Sequence, residues 1–174
     1  MSEIRRDVQT VDASGRRLQP LPDGVVLRDL VTHTDDRGTV CELYDDRWGI
    51  HPASVTFAYM FTIRPGKAKG WGAHRAHEDR YAFLSGELEI VLYDGREDSP
   101  TSGLEARIHL SVLHRQLLVI PRGVWHAERN PGQVDVQVVN FPSIPYDHTN
   151  PDKYRLPLDT DELPVDLGPG WDGW

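Results

Sequence analysis

Apolar and polar positions alternate along this chain in short stretches. "ARIHLSV" and "VDVQVV" place an apolar residue at every second position, the pattern of a strand with one buried face. β-rich runs recur at "VVLRDLV" (25–31), "TVCELY" (39–44), "VTFAYMFTI" (55–63), "YAFL" (81–84), "ELEIVLY" (87–93), "EARIHLS" (105–111), "QLLVI" (116–120) and "VDVQVVN" (134–140). The breaks between them, "DDRG", "RPGKAKG", "LSGE", "YDGREDSPTSG", "PRG" and "NPGQ", are rich in turn formers. No long segment before about residue 145 carries a helical period. Eight short strands at this spacing in 174 residues predict one all-β domain, a sandwich or barrel. Residues 1–23 are polar and without period, an N-terminal arm. Residues 24–145 form the barrel. Residues 146–174, rich in Pro and Asp, are expected to pack on it as an irregular segment, with "GPGWDGW" as a loose end.

Composition narrows the partners. A net charge of −8 argues against nucleic-acid binding, which needs basic surface to neutralise phosphate. It leaves room for an anionic small ligand held by local cations. No apolar run approaches the roughly 20 residues of a membrane span, and the N-terminus lacks the apolar core of a secretory signal. The single cysteine, Cys41, forms no internal disulfide, so a reducing, cytoplasmic setting is expected.

Candidate chemistry concentrates in two segments. "IPRGVWHAERN" (120–130) turns on Pro121 and Gly123 and then presents His126 and Asn130; "RPGKAKGWGAHRAHEDRYAFLSGELEI" (64–90) holds His74, His77 and Asp79. Strand side chains alternate faces, so His74, Asp79 and His126 are expected to converge at the mouth of a barrel. His77, three residues after His74, is expected on the opposite face. A metal would be held by His74, Asp79 and His126, two histidines and one carboxylate, a set that suits iron(II) with open positions. Arg37, Arg64, Lys69, Arg75 and Arg80 are candidates for gripping a diphosphate, and Trp71, Tyr59, Trp125 and Phe141 for stacking on a base or sugar. Arg96 reads as a tie across the turn around Ser99, Pro100 and Thr101.

These segments resemble the two cupin motifs. Pro121, Gly123, His126 and Asn130 fill every place of the second motif, P-x-G-x-x-H-x-x-x-N; in the first, Asp79 takes the acidic position, His74 the second histidine and Gly72 the first. The resemblance implies a double-stranded β-helix, or jelly roll. Within the cupins, "DDRGTVCELY", "GELEIVLYDGREDSPTSG" and "IPRGVWHAERN" resemble the dTDP-4-dehydrorhamnose 3,5-epimerase family over roughly residues 25–165. That family works without metal, abstracting protons next to a ketone on a nucleotide sugar. The resemblance implies that His74 is the base, His126 a second pocket histidine and Arg37 a substrate anchor. The chain departs from the family at three places. Trp71 replaces an arginine before His74. The general-acid tyrosine position falls at Val139 or Asn140. The aspartate that orients the base has no clear counterpart other than Asp172.

The expectation is therefore a cytoplasmic, homodimeric isomerase, an epimerase or ketoisomerase, acting on a carbonyl-bearing nucleotide sugar with no cofactor. His74 and His126 are its catalytic residues, and Asn140 joins the substrate-binding set. Two alternatives stand beside it. One is a metal-dependent cupin enzyme, an oxygenase or metal-assisted isomerase using Fe, Zn, Ni or Mn. The other is a cupin that binds a sugar nucleotide without turning it over.

Overall fold

The computed structural model describes residues 6–174; residues 1–5 of the expected arm lie outside the described residues. In chain order the strands are β1 (Val26–Asp29), β2 (Thr32–Asp35), β3 (Gly38–Cys41), β4 (Tyr59–Ile63), β5 (Lys67–Ala73), β6 (Asp79–Ser85) and β7 (Glu87–Asp94). There follow β8 (Glu105–Ser111), β9 (Gln116–Ile120), β10 (Val124–Arg129), β11 (Val136–Asn140), β12 (Tyr154–Leu156) and β13 (Asp172–Gly173). A single 3-10 turn, Asp46–Trp48, is the only helical element among the described residues.

The strands form two facing sheets, ordered β1-β9-β6-β11-β4 and β12-β5-β10-β7-β8, with β2 and β3 as a separate hairpin. Every ladder is antiparallel except that of β13, which joins β5 in parallel. Phe83, Leu118, Ile120 and Val138 of the first sheet meet Leu88, Ile90, Leu92, Ile108 and Leu110 of the second in one buried core. The fold is all-β, the cupin jelly roll that the motifs imply.

A second cluster covers the other face of β5, β7 and β10. There Trp71, Val91 and Ala127 pack under Leu163 and Leu167 of the C-terminal segment. This segment is more regular than its composition predicts. Its final residues are seated, not loose: β13 pairs with β5, and Trp171 and Trp174 lie against the guanidinium groups of Arg129 and Arg155, at 5.1 and 4.4 Å.

Five strands have no counterpart among the predicted runs: the short β2, β12 and β13, and the longer β5 and β10. In β5, "KAKGWGA", the glycines depress strand propensity, but they make the close approaches. A Cβ at Gly70 would strike the Trp174 backbone, and one at Gly72 would lie 3.4 Å from His126 Nε2. In β10, "VWHAER", the usual polarity is inverted: Ala127 lies under the C-terminal segment with Trp125 packed beside it, while His126 and Glu128 face a cavity. An alternation whose polar face points inward does not announce itself as a strand.

Candidate functional site

The site begins where β5 ends at Ala73. The chain curls there instead of continuing extended, because the carboxylate of Asp152 accepts three successive backbone N–H bonds, from Arg75 (3.0 Å), Ala76 (2.8 Å) and His77 (3.1 Å). Burial opposes the charge on Asp152, but these bonds hold its carboxyl below the usual range. The curl brings His77 to the same side as His74, with ring centroids 3.9 Å apart and His77 Nδ1 2.9 Å from Asp152 Oδ2. The expectation of His77 on the opposite face fails because residues 74–78 are a turn, to which strand alternation does not apply.

Asp79 opens β6 and is buried. Its Oδ2 lies 3.1 Å from His74 Nε2 and 3.6 Å from His126 Nε2; its Oδ1 lies 3.7 Å from His77 Nε2. Asn140 Nδ2 donates to Oδ1 at 2.6 Å, and the Tyr81 hydroxyl donates to Oδ2 at 3.3 Å. Burial alone would push this carboxyl up; the bonds from His74 and His77 and the imidazole charges hold it well below its ordinary value.

The two motif histidines are held differently. Burial pulls His74 down, yet the Asp79 carboxylate prevails and raises it; its other nitrogen, Nδ1, donates to the Asp152 carbonyl. With an acceptor at each nitrogen, His74 has its charged form favoured. His126 donates from Nδ1 to the Val124 carbonyl at 3.2 Å, and burial pulls it down to about 4. It is neutral, with Nε2 unprotonated and 4.0 Å from Glu128 Oε1. Burial pushes the Glu128 carboxyl up to about 7, with Lys153 opposing.

His126 and Glu128 line a cavity of about 250 Å³ together with Tyr59, Lys69, Tyr81 and Lys153. An adjoining chamber of about 350 Å³ is lined by His74 and His77. Tyr59, Lys153 and Arg155 belong to both chambers.

Of the residues picked out for substrate contact, Lys69 and Tyr59 line this space. Arg80 is fully buried and ties loops together: its guanidinium donates to the Phe141 carbonyl, to Tyr44 Oη (2.9 Å) and to the carbonyls of Ala53 (2.6 Å) and Pro142 (3.0 Å). Four of its five N–H donors are committed there, and its burial keeps it from a diphosphate. Trp71 is buried under the C-terminal segment on the far face of β5. Arg64 is exposed in the turn after β4, and Arg75 lies over the Tyr154 ring at 4.3 Å. Arg37 stands on the exposed β2–β3 hairpin, paired with Asp35 at 2.5 Å, beside a separate recess. Asn140 commits its amide to Asp79 and to Tyr59 Oη, at 3.0 Å. Asp172 pairs with Lys67, and it is Asp152 that reaches the histidines. Arg96 ties its turn through Asp94 and Ser99 as its segment predicts.

Five residues of the site carry no sequence motif: Tyr59, Glu128, Asp152, Lys153 and Arg155. Glu128 follows His126 by two places on one strand, so alternation was a usable signal for it. Asp152 and Lys153 lie in irregular chain, where nothing local points to the cavity.

A jelly roll with buried histidines and an aspartate beside a cavity edged by cations defines a cupin with a polar pocket. No family model matches the chain. It is 32% identical over 143 residues to the spore coat polysaccharide biosynthesis protein SpsL of Bacillus subtilis, covering 81% of this chain and 93% of that protein. It is 30% identical over 136 residues to a probable low-salt glycan biosynthesis epimerase of Haloferax volcanii, covering 78% and 87%. A dTDP sugar isomerase of Desulfovibrio desulfuricans superimposes with a TM-score of 0.71 at 28% identity, over 83% of this chain and 91% of that one. A Legionella pneumophila 3,5-epimerase solved with dTDP-4-keto-L-rhamnose shares the fold at 18% identity, with a TM-score of 0.74 over 87% and 84% of the two chains. The chain belongs to the dTDP-4-dehydrorhamnose 3,5-epimerase-like family of cupins.

Proposed function

We propose that this protein is an isomerase or epimerase of a nucleotide-linked ketosugar. It takes a proton from a carbon next to the carbonyl and gives one back. The observation that carries this reading is the buried trio of His74, Asp79 and His126 set against a cavity edged by Lys69, Lys153 and Arg155. The cations suit a diphosphate, and the sugar isomerase likeness supports the chemistry. His74 exchanges the proton: its neutral form takes one from carbon, and the imidazolium so formed returns one. Asp79 steadies its charged form. His126, whose Nδ1 proton is held by Val124, has no N–H for a ketone and accepts from a sugar hydroxyl instead. Lys153, on the wall common to both chambers, stabilises the charge that develops on the carbonyl oxygen. We take the active species to be a homodimer, which sedimentation checks as a mass near twice 19.7 kDa.

Incubation with dTDP-4-keto-L-rhamnose in deuterated water tests the reading. Wild type is expected to place deuterium next to the carbonyl, and His74→Asn to do so about 100-fold more slowly. A wild type as inert as the variant would overturn it, and tight binding without exchange would mark a binding protein.

A second reading rests on geometry: the ligand atoms of His74, Asp79 and His126 lie within 4.8 Å of one another, as do those of His74, His77 and Asp152. The first set fits iron(II) or zinc by donor type. Against it, Asn140 and Tyr81 already donate to the two oxygens of Asp79. Elemental analysis decides: about one equivalent of metal with activation on its return favours a metalloenzyme, and less than about a tenth excludes it.

A further inference from the structure

Tyr59, Asn140 and Tyr81 stand in one register row across β4, β11 and β6. The two phenols that flank Asn140 are not equivalent. The Arg80 backbone N–H donates to Asn140 Oδ1 at 2.9 Å, which fixes the amide orientation and makes Nδ2 the donor. Nδ2 donates to Asp79 Oδ1 and to Tyr59 Oη. The Tyr59 oxygen is therefore an acceptor in this bond, and its own O–H is left to point elsewhere. Elsewhere is the cavity, since Tyr59 lines both chambers and is 39% exposed, the only tyrosine of the row so open. Tyr81 is buried, and its proton is directed back to Asp79 Oδ2.

We propose that Tyr59 is a catalytic residue whose phenolic O–H donates a hydrogen bond to the substrate's carbonyl oxygen as the neighbouring C–H bond breaks. This rests on the proton-abstraction reading above. As the base takes the proton, the C–H electron pair becomes the C=C bond of an enolate and the carbonyl π pair moves onto oxygen. There the Tyr59 O–H and the Lys153 ammonium meet it. When a proton returns to carbon, that pair re-forms the C–H bond and the carbonyl is restored. Tyr59 keeps its proton throughout: burial and the nearby Asp79 charge push its hydroxyl up to about 12, so it is a donor to an oxyanion and not itself an acid that ionises. Asn140 is a positioning residue, acting by holding the phenol's polarity.

Deuterium exchange into dTDP-4-keto-L-rhamnose by wild type, Tyr59→Phe and Tyr81→Phe tests the assignment. Removing one oxyanion donor is expected to lower kcat about 100-fold or more in Tyr59→Phe, with KM and dTDP affinity within about threefold of wild type. Tyr81→Phe is expected to lose less than about tenfold. Wild-type exchange that persists in Tyr59→Phe, a loss confined to KM, or a larger loss in Tyr81→Phe would overturn the inference and leave the isomerase reading standing. A wild type inert toward this sugar would overturn both.

Discussion

Two aspartates are buried in this barrel, and they keep different company. Asp94, at the end of β7, accepts from Arg96 Nε at 2.7 Å and Nη2 at 2.8 Å, and from the Ser99 and Thr101 hydroxyls at 2.6 Å each. Asp79, at the start of β6, faces His74, His126 and His77 at 3.1 to 3.7 Å. In both, burial opposes the charge and the partners prevail, so both carboxyls sit below their usual range. The difference lies in the cation. A guanidinium stays charged at every working pH, whereas an imidazole gains and loses its proton near neutrality. Asp94 with Arg96 fastens a turn; Asp79 with its histidines holds exchangeable protons at the wall of a cavity.

The comparison is broken most severely at Asp94. Asp94→Ala leaves a guanidinium and two hydroxyls without their acceptor, and is expected to cost about 3–5 kcal/mol in urea unfolding while folded molecules still exchange substrate protons at the wild-type rate. Glu128, in the same cavity as the histidines, sharpens it from the other side. Its pKa is raised from 4.5 to about 7, so the folded state gains from binding that proton, fully below about pH 4.5, and loses the gain as pH rises through 7. Glu128→Gln never carries the charge. It is expected to be more stable than wild type by about 3 kcal/mol at pH 8 and close to equal below about pH 5, by denaturant titration at the two values. The smallest effect belongs to Arg37, whose pair with Asp35 lies in solvent: Arg37→Ala is expected to leave the urea unfolding midpoint where wild type has it.

Much of this was legible in the sequence, and the misses share a physical cause. Strands such as β8 and β11 declare themselves because one face meets the core and the other meets water. β5 and β10 do not, because a strand that walls a polar cavity carries His126 and Glu128 where a core strand carries valine. The motif around Pro121 and Gly123 located His126, and Asp79 was found by its distance from Gly86. Arg80 read as a cation for a diphosphate because the sequence shows its charge and not its partners. Its donors are committed to carbonyls that lie 27 to 62 residues away in the chain. Asp152, Lys153 and Arg155 reach the cavity only because the C-terminal segment folds back along β5, a long-range pairing that no local pattern encodes.

The most direct measurement compares the two aspartates in one assay, deuterium uptake into dTDP-4-keto-L-rhamnose per folded molecule. Asp79→Asn is expected to fall about 100-fold below wild type while Asp94→Asn matches it. A wild type that takes up no deuterium, or an Asp79→Asn variant that exchanges as fast as wild type, would contradict a proton-exchanging role for the Asp79 cluster.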